Sequence, residues 1–415
     1  MLSEKQRDIT ILCDVVDNFG DIGFCYRLAR SLSEVCPEVN LRLIVSDLSA
    51  FSKLEPKIDA KKGKQEFEYK IEQDKSVKWK IFDWHNTEVC KKEFLENPPM
   101  AILQCFQCKR PEWLEEILFD KDKKEITHII NVEYLTAEDW ADEFHCLKSG
   151  TRSKYVKKVN FMPGFTNKTG GLVLDNSFMQ SLNNREYARD LLKKEANIEI
   201  DDDKEKNFNV VIFSYERDFT PVVKALCAFE ERLEQDGKKL NIFVADGKAK
   251  TSFQKAIDTL NRLSLKDKLC LQDKLCLQNR LCLQFLSQSA WDALLTLSDF
   301  NFVRGEDSMA RACLCGVPFV WHAYPQENEW QTVKVNALMK RLESYFSADT
   351  AKIYTEFMCE YNRDNASTEK QEELLKELLF RYDELKRGSK KFASEIISIG
   401  NLAENLCIFI SHLQF

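Results

Sequence analysis

An α/β fold in two successive halves is what the sequence predicts, on three observations. Short, β-branched apolar runs of strand length alternate with helical stretches, the pattern of βαβ units and a parallel sheet. The alternation breaks at a segment dense in proline and glycine and then starts again. The chain has 415 residues, more than one ordinary core accommodates, so two domains are expected.

The first half opens with ITILCDVV (9–16) as a strand, followed by a helix to about Glu34. LRLIVSDL (41–48), AILQCF (101–106) and THIINVEYL (127–135) continue the strand series. Residues 52–80, rich in Lys, Glu and Gln, read as a loop or a peripheral hairpin. FMPGFTNKTGGLVLD (161–175) carries the densest turn signal, with Pro163, Gly164, Gly170 and Gly171. A polar helical stretch and the acidic loop EIDDDKEKN (199–207) follow.

The second half repeats the pattern. FNVVIFSYE (208–216) is a strand, TPVVKALCAFEERLEQDGK a helix and LNIFVADG (240–247) a strand. FNFVRGED (300–307) and VPFVWHAYP (317–325) supply two more strands around a helix. KLCLQD, KLCLQN and RLCLQF (268–285) repeat with a period of six, matching neither the helical period nor a solenoid unit. Alternating Leu-Cys-Leu could form a strand with the outer copies as inserted length; the simplest reading is a tolerated duplication in a surface connection. From Asp349 the chain reads as helices, and the final NLAENLCIFISHLQF is apolar enough to dock on a domain. The expected division is 1–185, joined by the terminal helix 390–415, and 186–389.

Composition narrows the function. Hydrophobic residues make up 44% and charged residues 31%, a globular balance. No stretch approaches the roughly 20 apolar residues that cross a bilayer, and the polar, acidic start MLSEKQRDIT is unlike a secretory signal. A cytoplasmic protein without a membrane partner is expected. A net charge of −7 without a basic cluster argues against a nucleic-acid partner. The fifteen cysteines sit mostly inside apolar runs, where a free thiol behaves as a small hydrophobe. The CxxC of Cys105 and Cys108 lacks a second pair, and the five histidines lack ligand spacing, so no metal is expected.

Two constellations carry chemistry. In open α/β sheets ligands bind beyond the carboxyl ends of strands, where DNFGD places Asp17 and Asp21 after the first strand. From position alone, Asp21 is an N-cap or a functional acid; capping does not account for Asp17. Gly20 allows close approach of another group or a positive φ. Two such carboxylates suit deprotonation of a nucleophile or capture of a cation. The second constellation is NFVRGEDSMARACLCGVPFVWHAYPQ (301–326). Here Arg304 and a helix start suit an anion, while Glu306 and Asp307 suit hydroxyl groups, a combination that describes a nucleotide sugar. Tyr215, Phe285 and Trp291 could sandwich a base or could be ordinary core.

VVDNFGDIGFCYRLAR, NVEYLTAED, PGFTNKTGGL, NFVRGEDS and GVPFVWHAYPQ, in order through both halves, strongly resemble the arginine rhamnosyltransferases that modify bacterial elongation factor P. The resemblance implies a GT-B fold, two facing Rossmann-like domains with an interdomain cleft. It implies inverting transfer of rhamnose from dTDP-β-L-rhamnose to an arginine of elongation factor P, with no cofactor and no metal. The N-terminal domain would approach the acceptor and the C-terminal domain would hold the donor. The catalytic residues it implies are Asp21 as general base, Asp17 and Glu306. Donor contacts would fall on Asn18, Phe19 and Gly20, on Tyr215, on Phe285, Leu286, Ser287, Gln288 and Trp291, on Arg304, Gly305, Glu306, Asp307 and Ser308, and on Tyr324 and Gln326. The repeat before Phe285 departs from the family's pattern, and Glu133 and Tyr134 are further candidates for gripping the partner.

Overall fold

The computed structural model describes residues 8–17, 19–72, 74–267, 277 and 279–413. Asn18 and most of the six-residue repeat lie outside the described residues. Two compact units divide the chain: Met1–Met179 with Ile396–Phe415, and Gln180–Glu395.

The first unit begins with β1 (Asp8–Cys13), α1 (Gly20–Val35), β2 (Asn40–Val45) and α2 (Leu48–Leu54). Then come β3 (Lys64–Glu72), β4 (Lys75–Asp83), α3 (Thr87–Glu96), β5 (Ala101–Cys105), α4 (Glu112–Leu118) and β6 (Thr127–Val132). Short α5 (Trp140–Phe144) and β7 (Lys148–Ser149) precede β8 (Val156–Phe161). The strands form one sheet ordered β3-β4-β2-β1-β5-β6-β8-β7, parallel except at the two outer hairpin pairs. From β1 the chain crosses to β2 on one side, and β5 then pairs on the other. A crevice at the carboxyl ends of β1 and β5 follows from that reversal of direction.

Residues 52–80 form the last turn of α2, a connecting loop and most of a hairpin that extends the sheet edge. Phe67 and Tyr69 alternate with charged residues, and both rings pack on fully buried Trp79, Tyr69 stacked at 5.1 Å and 26°. The Trp79 indole N–H donates to Ser33 of α1 at 2.8 Å, which fastens the hairpin to the helix. The second expected strand is shorter than 41–48. Asp47 accepts from Ser49 and Ala50 backbone N–H at 2.8 and 3.1 Å and starts α2 there.

The glycine-dense segment is the dock for the C-terminal helix. Leu402 N–H donates to Leu172 O at 2.8 Å, and Asn405 donates to Gly170 O at 3.1 Å. Gly171 has φ +77, and a Cβ there would lie 2.5 Å from Gly400 O, so only glycine fits. Behind it, Asp175 reaches the buried guanidinium groups of Arg27 at 3.3 Å and Arg30 at 3.7 Å. Helix α1 is thereby covered on its polar side as well as its sheet side.

Helices α6 (Asn176–Asn183) and α7 (Arg185–Ala196) precede the second sheet. This unit runs β9 (Asn207–Ile212), α8 (Thr220–Gln235), β10 (Lys239–Val244), α9 (Lys248–Asp267), β11 (Arg280–Cys282) and α10 (Gln288–Leu297). It continues through β12 (Phe300–Arg304), α11 (Gly305–Cys315) and β13 (Phe319–His322). Helices α12 (Gln331–Leu342), α13 (Ala348–Tyr361), α14 (Thr368–Phe380) and α15 (Tyr382–Ser398) follow, and α16 (Leu402–Ser411) belongs to the first unit. The five strands are all parallel, ordered β11-β10-β9-β12-β13, and the direction of crossover reverses between β9 and β12. All four strands expected in this half end early: β9 stops at Ile212, so Tyr215 lies three residues beyond it, β10 stops at Val244, β12 gives way to helix at Gly305, and β13 stops at His322. No described helix is long and apolar enough to cross a membrane.

Candidate functional site

In the first unit the acidic loop sits at the β1/β5 reversal. Asp21 is not an N-cap: helix α1 starts at Gly20 with Phe19 as its cap residue, and the Asp21 side chain turns back. Its Oδ2 accepts from the backbone N–H of Val16 and of Asp17, both at 2.9 Å. Its Oδ1 accepts from the Tyr134 hydroxyl at 3.1 Å, and the residue is only 2% exposed. Asp17 is exposed, and Gly20 accepts its close approach: a Cβ at Gly20 would stand 2.9 Å from Asp17 Oδ2. Of the two uses expected for Gly20, the structure shows close approach, since its φ is not positive. Phe19 is half-buried beneath the Lys53 ammonium, 5.7 Å from its ring.

Tyr134 follows β6 and stacks on Phe106, with ring centres 4.1 Å apart and planes at 17°. Phe106 and Gln107 both have positive φ, +60 and +50, as the chain leaves β5. Two adjacent left-handed non-glycine residues are strained and persist only where the surroundings enforce them, a feature of functional corners. Gln107 and Asn131 both donate to the Glu133 carboxylate. Phe106 was legible only as a strand end, and Tyr134 as a strand end or a contact for the partner, because the groups they meet here are far away in the chain.

In the second unit the corner lies at the β9/β12 reversal. Arg304 occupies the cap position of α11 without a side-chain cap bond, which leaves the first helical N–H groups to other acceptors. Its guanidinium carbon lies 4.5 Å from the Phe213 ring centre and 4.8 Å from that of Tyr215. Two aromatic faces thus hold one planar cation in place. Gly305 turns with φ +68, and a Cβ there would meet only the Tyr215 hydroxyl, at 3.9 Å. Tyr215 packs edge-on against exposed Tyr324 at 5.6 Å. Glu306 is paired with Lys334 of α12 at 3.2 Å, so part of the negative charge beside the helix start is offset. Asp307 and Ser308 are half-buried on the first turn of α11, and Gln326 is exposed two residues past Tyr324.

The remaining expected residues line the start of α10. Phe285 is exposed and Leu286 and Gln288 are half-buried. Ser287 caps α10 through Ala290 N–H at 3.1 Å and donates to Glu195, so its hydroxyl already serves the fold. Trp291 meets Phe213 edge-on at 5.0 Å, while its buried indole N–H has no partner among the described residues. Phe213 thereby joins Trp291 to Arg304, a link that the strand pattern alone did not mark. Beneath the corner, burial, with Arg217 and Arg304 adding positive charge, pushes His322 down to about 3. Among the described residues no group of three or more His, Cys, Asp or Glu could hold a metal ion.

Comparison with known proteins agrees with this architecture. The family described as Elongation-Factor P (EF-P) rhamnosyltransferase EarP matches residues 9–411. The protein-arginine rhamnosyltransferase of Shewanella oneidensis is 29% identical over 371 residues, 87% of each chain. That of Pseudomonas aeruginosa is 27% identical over 408 residues, 96% of this chain and 97% of its own. A solved structure concerned with EarP-mediated arginine glycosylation of translation elongation factor EF-P superposes with a TM-score of 0.57 at 18% identity, covering 98% of this chain and 99% of that one. A kitacinnamycin glycotransferase superposes at 0.51 with 10% identity, over 98% and 99%. Two Rossmann-like units make up the GT-B fold class, as the sequence led us to expect. With the family match spanning both units, the chain belongs to the EarP family of elongation factor P rhamnosyltransferases.

Proposed function

We propose that this protein transfers L-rhamnose from dTDP-β-L-rhamnose to one arginine side chain of translation elongation factor P, with inversion at the anomeric carbon. The observation that carries the reading is the acidic corner at the end of β1: exposed Asp17, and Asp21 held by Val16, Asp17 and Tyr134. A guanidinium with a pKa above roughly 12 is a poor nucleophile. Asp17 aligns the group, and Asp21 accepts the proton of the attacking nitrogen. Both Asp21 oxygens are engaged, so the guanidinium N–H takes over the Oδ1 position that the Tyr134 hydroxyl occupies. The nitrogen–carbon bond forms as the bond from the anomeric carbon to the diphosphate oxygen breaks, and the departing electron pair stays on that oxygen. Arg304 and the amide N–H groups at the start of α11 receive the developing charge, with Glu306 and Asp307 at the sugar end. In this reading the reaction calls for no metal or other cofactor, and it takes place in the cytoplasm, where elongation factor P works.

Asn18, Phe19, Gly20, Phe285, Leu286, Ser287, Gln288, Trp291, Tyr324 and Gln326 complete the donor contacts in this proposal. Incubating the purified chain with elongation factor P and dTDP-β-L-rhamnose tests it. A deoxyhexose on a single arginine by mass spectrometry is expected. Donor turnover without that product points instead to another acceptor, and donor binding without turnover to a non-catalytic nucleotide-sugar-binding protein.

A further inference from the structure

His322 ends β13 in register with Arg304 on the neighbouring strand. It is 7% exposed and faces Tyr215 edge-on at 5.2 Å. The adjoining Trp321 donates to Gly305 O at 3.1 Å, which ties this strand end to the start of α11. Ser214 Oγ lies 2.7 Å from His322 Nδ1 and 3.0 Å from the Tyr361 hydroxyl. The direction of this relay follows from counting protons. Tyr361 is 1% exposed, and Ser214 is the one acceptor described for its hydroxyl proton. If Nδ1 carried the imidazole proton and donated to Ser214, either the Ser214 or the Tyr361 hydroxyl proton, both buried, would lack an acceptor among the described residues. The satisfied arrangement runs the other way: Tyr361 donates to Ser214, and Ser214 donates to Nδ1. Arg217, with its guanidinium carbon 3.6 Å over the Tyr361 ring and a hydrogen bond to the Tyr361 carbonyl, clamps the far end.

The ring proton then sits on Nε2. No described group accepts it, and Nε2 is not among the buried unpartnered polar atoms, so the N–H looks out of the packed interior. We propose that His322 is a neutral hydrogen-bond donor to the diphosphate of the nucleotide, held in that tautomer by the Tyr361–Ser214 relay. This rests on reading the Arg304 corner as the donor site. A neutral donor suits the place, because it serves a phosphate oxygen without adding a third cation beside Arg217 and Arg304.

Two neutral substitutions separate donor from filler. His322→Gln extends an amide N–H2 toward the Nε2 position, whereas His322→Asn reaches only the Nδ1 position. With the full chain and dTDP in a calorimeter, His322→Asn is expected to weaken binding about tenfold, the loss for one hydrogen bond to a charged group, and His322→Gln less than about threefold. Binding of thymidine, which lacks the diphosphate, should be equal in both variants and the native chain. In nitrogen-15 spectra of the native chain, the His322 proton is expected on Nε2 and shifted downfield when dTDP is added. A proton on Nδ1, no shift with dTDP, or native affinity in His322→Asn overturns the proposal. The spectra need no variant, so they decide even where His322→Asn does not fold. A native chain that binds no dTDP refutes the donor-site reading and this inference with it. Binding that His322→Asn leaves unchanged refutes this inference alone.

Discussion

Asp21→Asn separates the two jobs that the structure gives one carboxylate. Oδ2 holds two loop N–H groups at 2.9 Å, and Oδ1 accepts from Tyr134 at 3.1 Å. An asparagine keeps its oxygen on the two N–H groups and turns its NH2 toward Tyr134, whose hydroxyl can accept. All three bonds survive without charge assistance, at a cost of about 1–2 kcal/mol. The oxygen able to take a proton is lost, so transfer should fall about 100- to 10,000-fold. Urea unfolding measures the first effect, dTDP calorimetry confirms the donor corner, and mass spectrometry of elongation factor P measures the second. Tyr134→Phe is the companion variant. It removes one donor and leaves the carboxylate, so transfer should stay within about tenfold of native. Asp21→Asn with transfer within threefold of native would show that Asp21 only clasps the loop, and the proposed mechanism would fail.

Other consequences follow from single features of the fold. Gly305→Ala forces φ +68 on an alanine although space is open, so unfolding should show a loss of about 1–2 kcal/mol, together with weaker dTDP binding. Asp175→Ala leaves the Arg27 and Arg30 guanidinium groups buried without their carboxylate, and stability in urea should fall about 3–5 kcal/mol. His322 titrates at about 6.5 when unfolded but is pushed down to about 3 in the fold, first by burial and then by Arg217 and Arg304. The unfolded chain therefore binds the extra proton in that window, so this contribution is intact above pH 6.5 and shrinks as pH falls toward 3. Native stability should drop about 2 kcal/mol more than that of His322→Gln between about pH 6.5 and pH 5 in denaturant titrations. Equal slopes would contradict the assignment.

Much of the candidate site was legible because its signals are local. DNFGD and RGEDS stand at strand–helix junctions, which periodicity alone locates. Less legible were the residues that complete each corner. Phe213 looks like one more apolar strand residue until Arg304, 91 positions later, lies across its ring. Lys334 reads as surface charge on α12 until it meets Glu306. Ser287 sits beside the expected base pocket, yet its hydroxyl caps a helix. The hairpin at residues 64–83 was ambiguous because charged residues hide a period-two alternation whose inward half packs on Trp79.

By itself the sequence determined the alternation of strands and helices, the two acidic junctions and the glycines at which the chain reverses. Those depend on neighbours within one turn or one strand, whose sterics and hydrogen bonding are set by residue type. Tertiary structure alone decided that Asp21 answers to Tyr134, Asp175 to Arg27, and His322 to Ser214 and Tyr361. These partners lie tens to hundreds of residues apart in the chain. Strand order brings them together, and the need to satisfy every buried donor and acceptor then selects one arrangement.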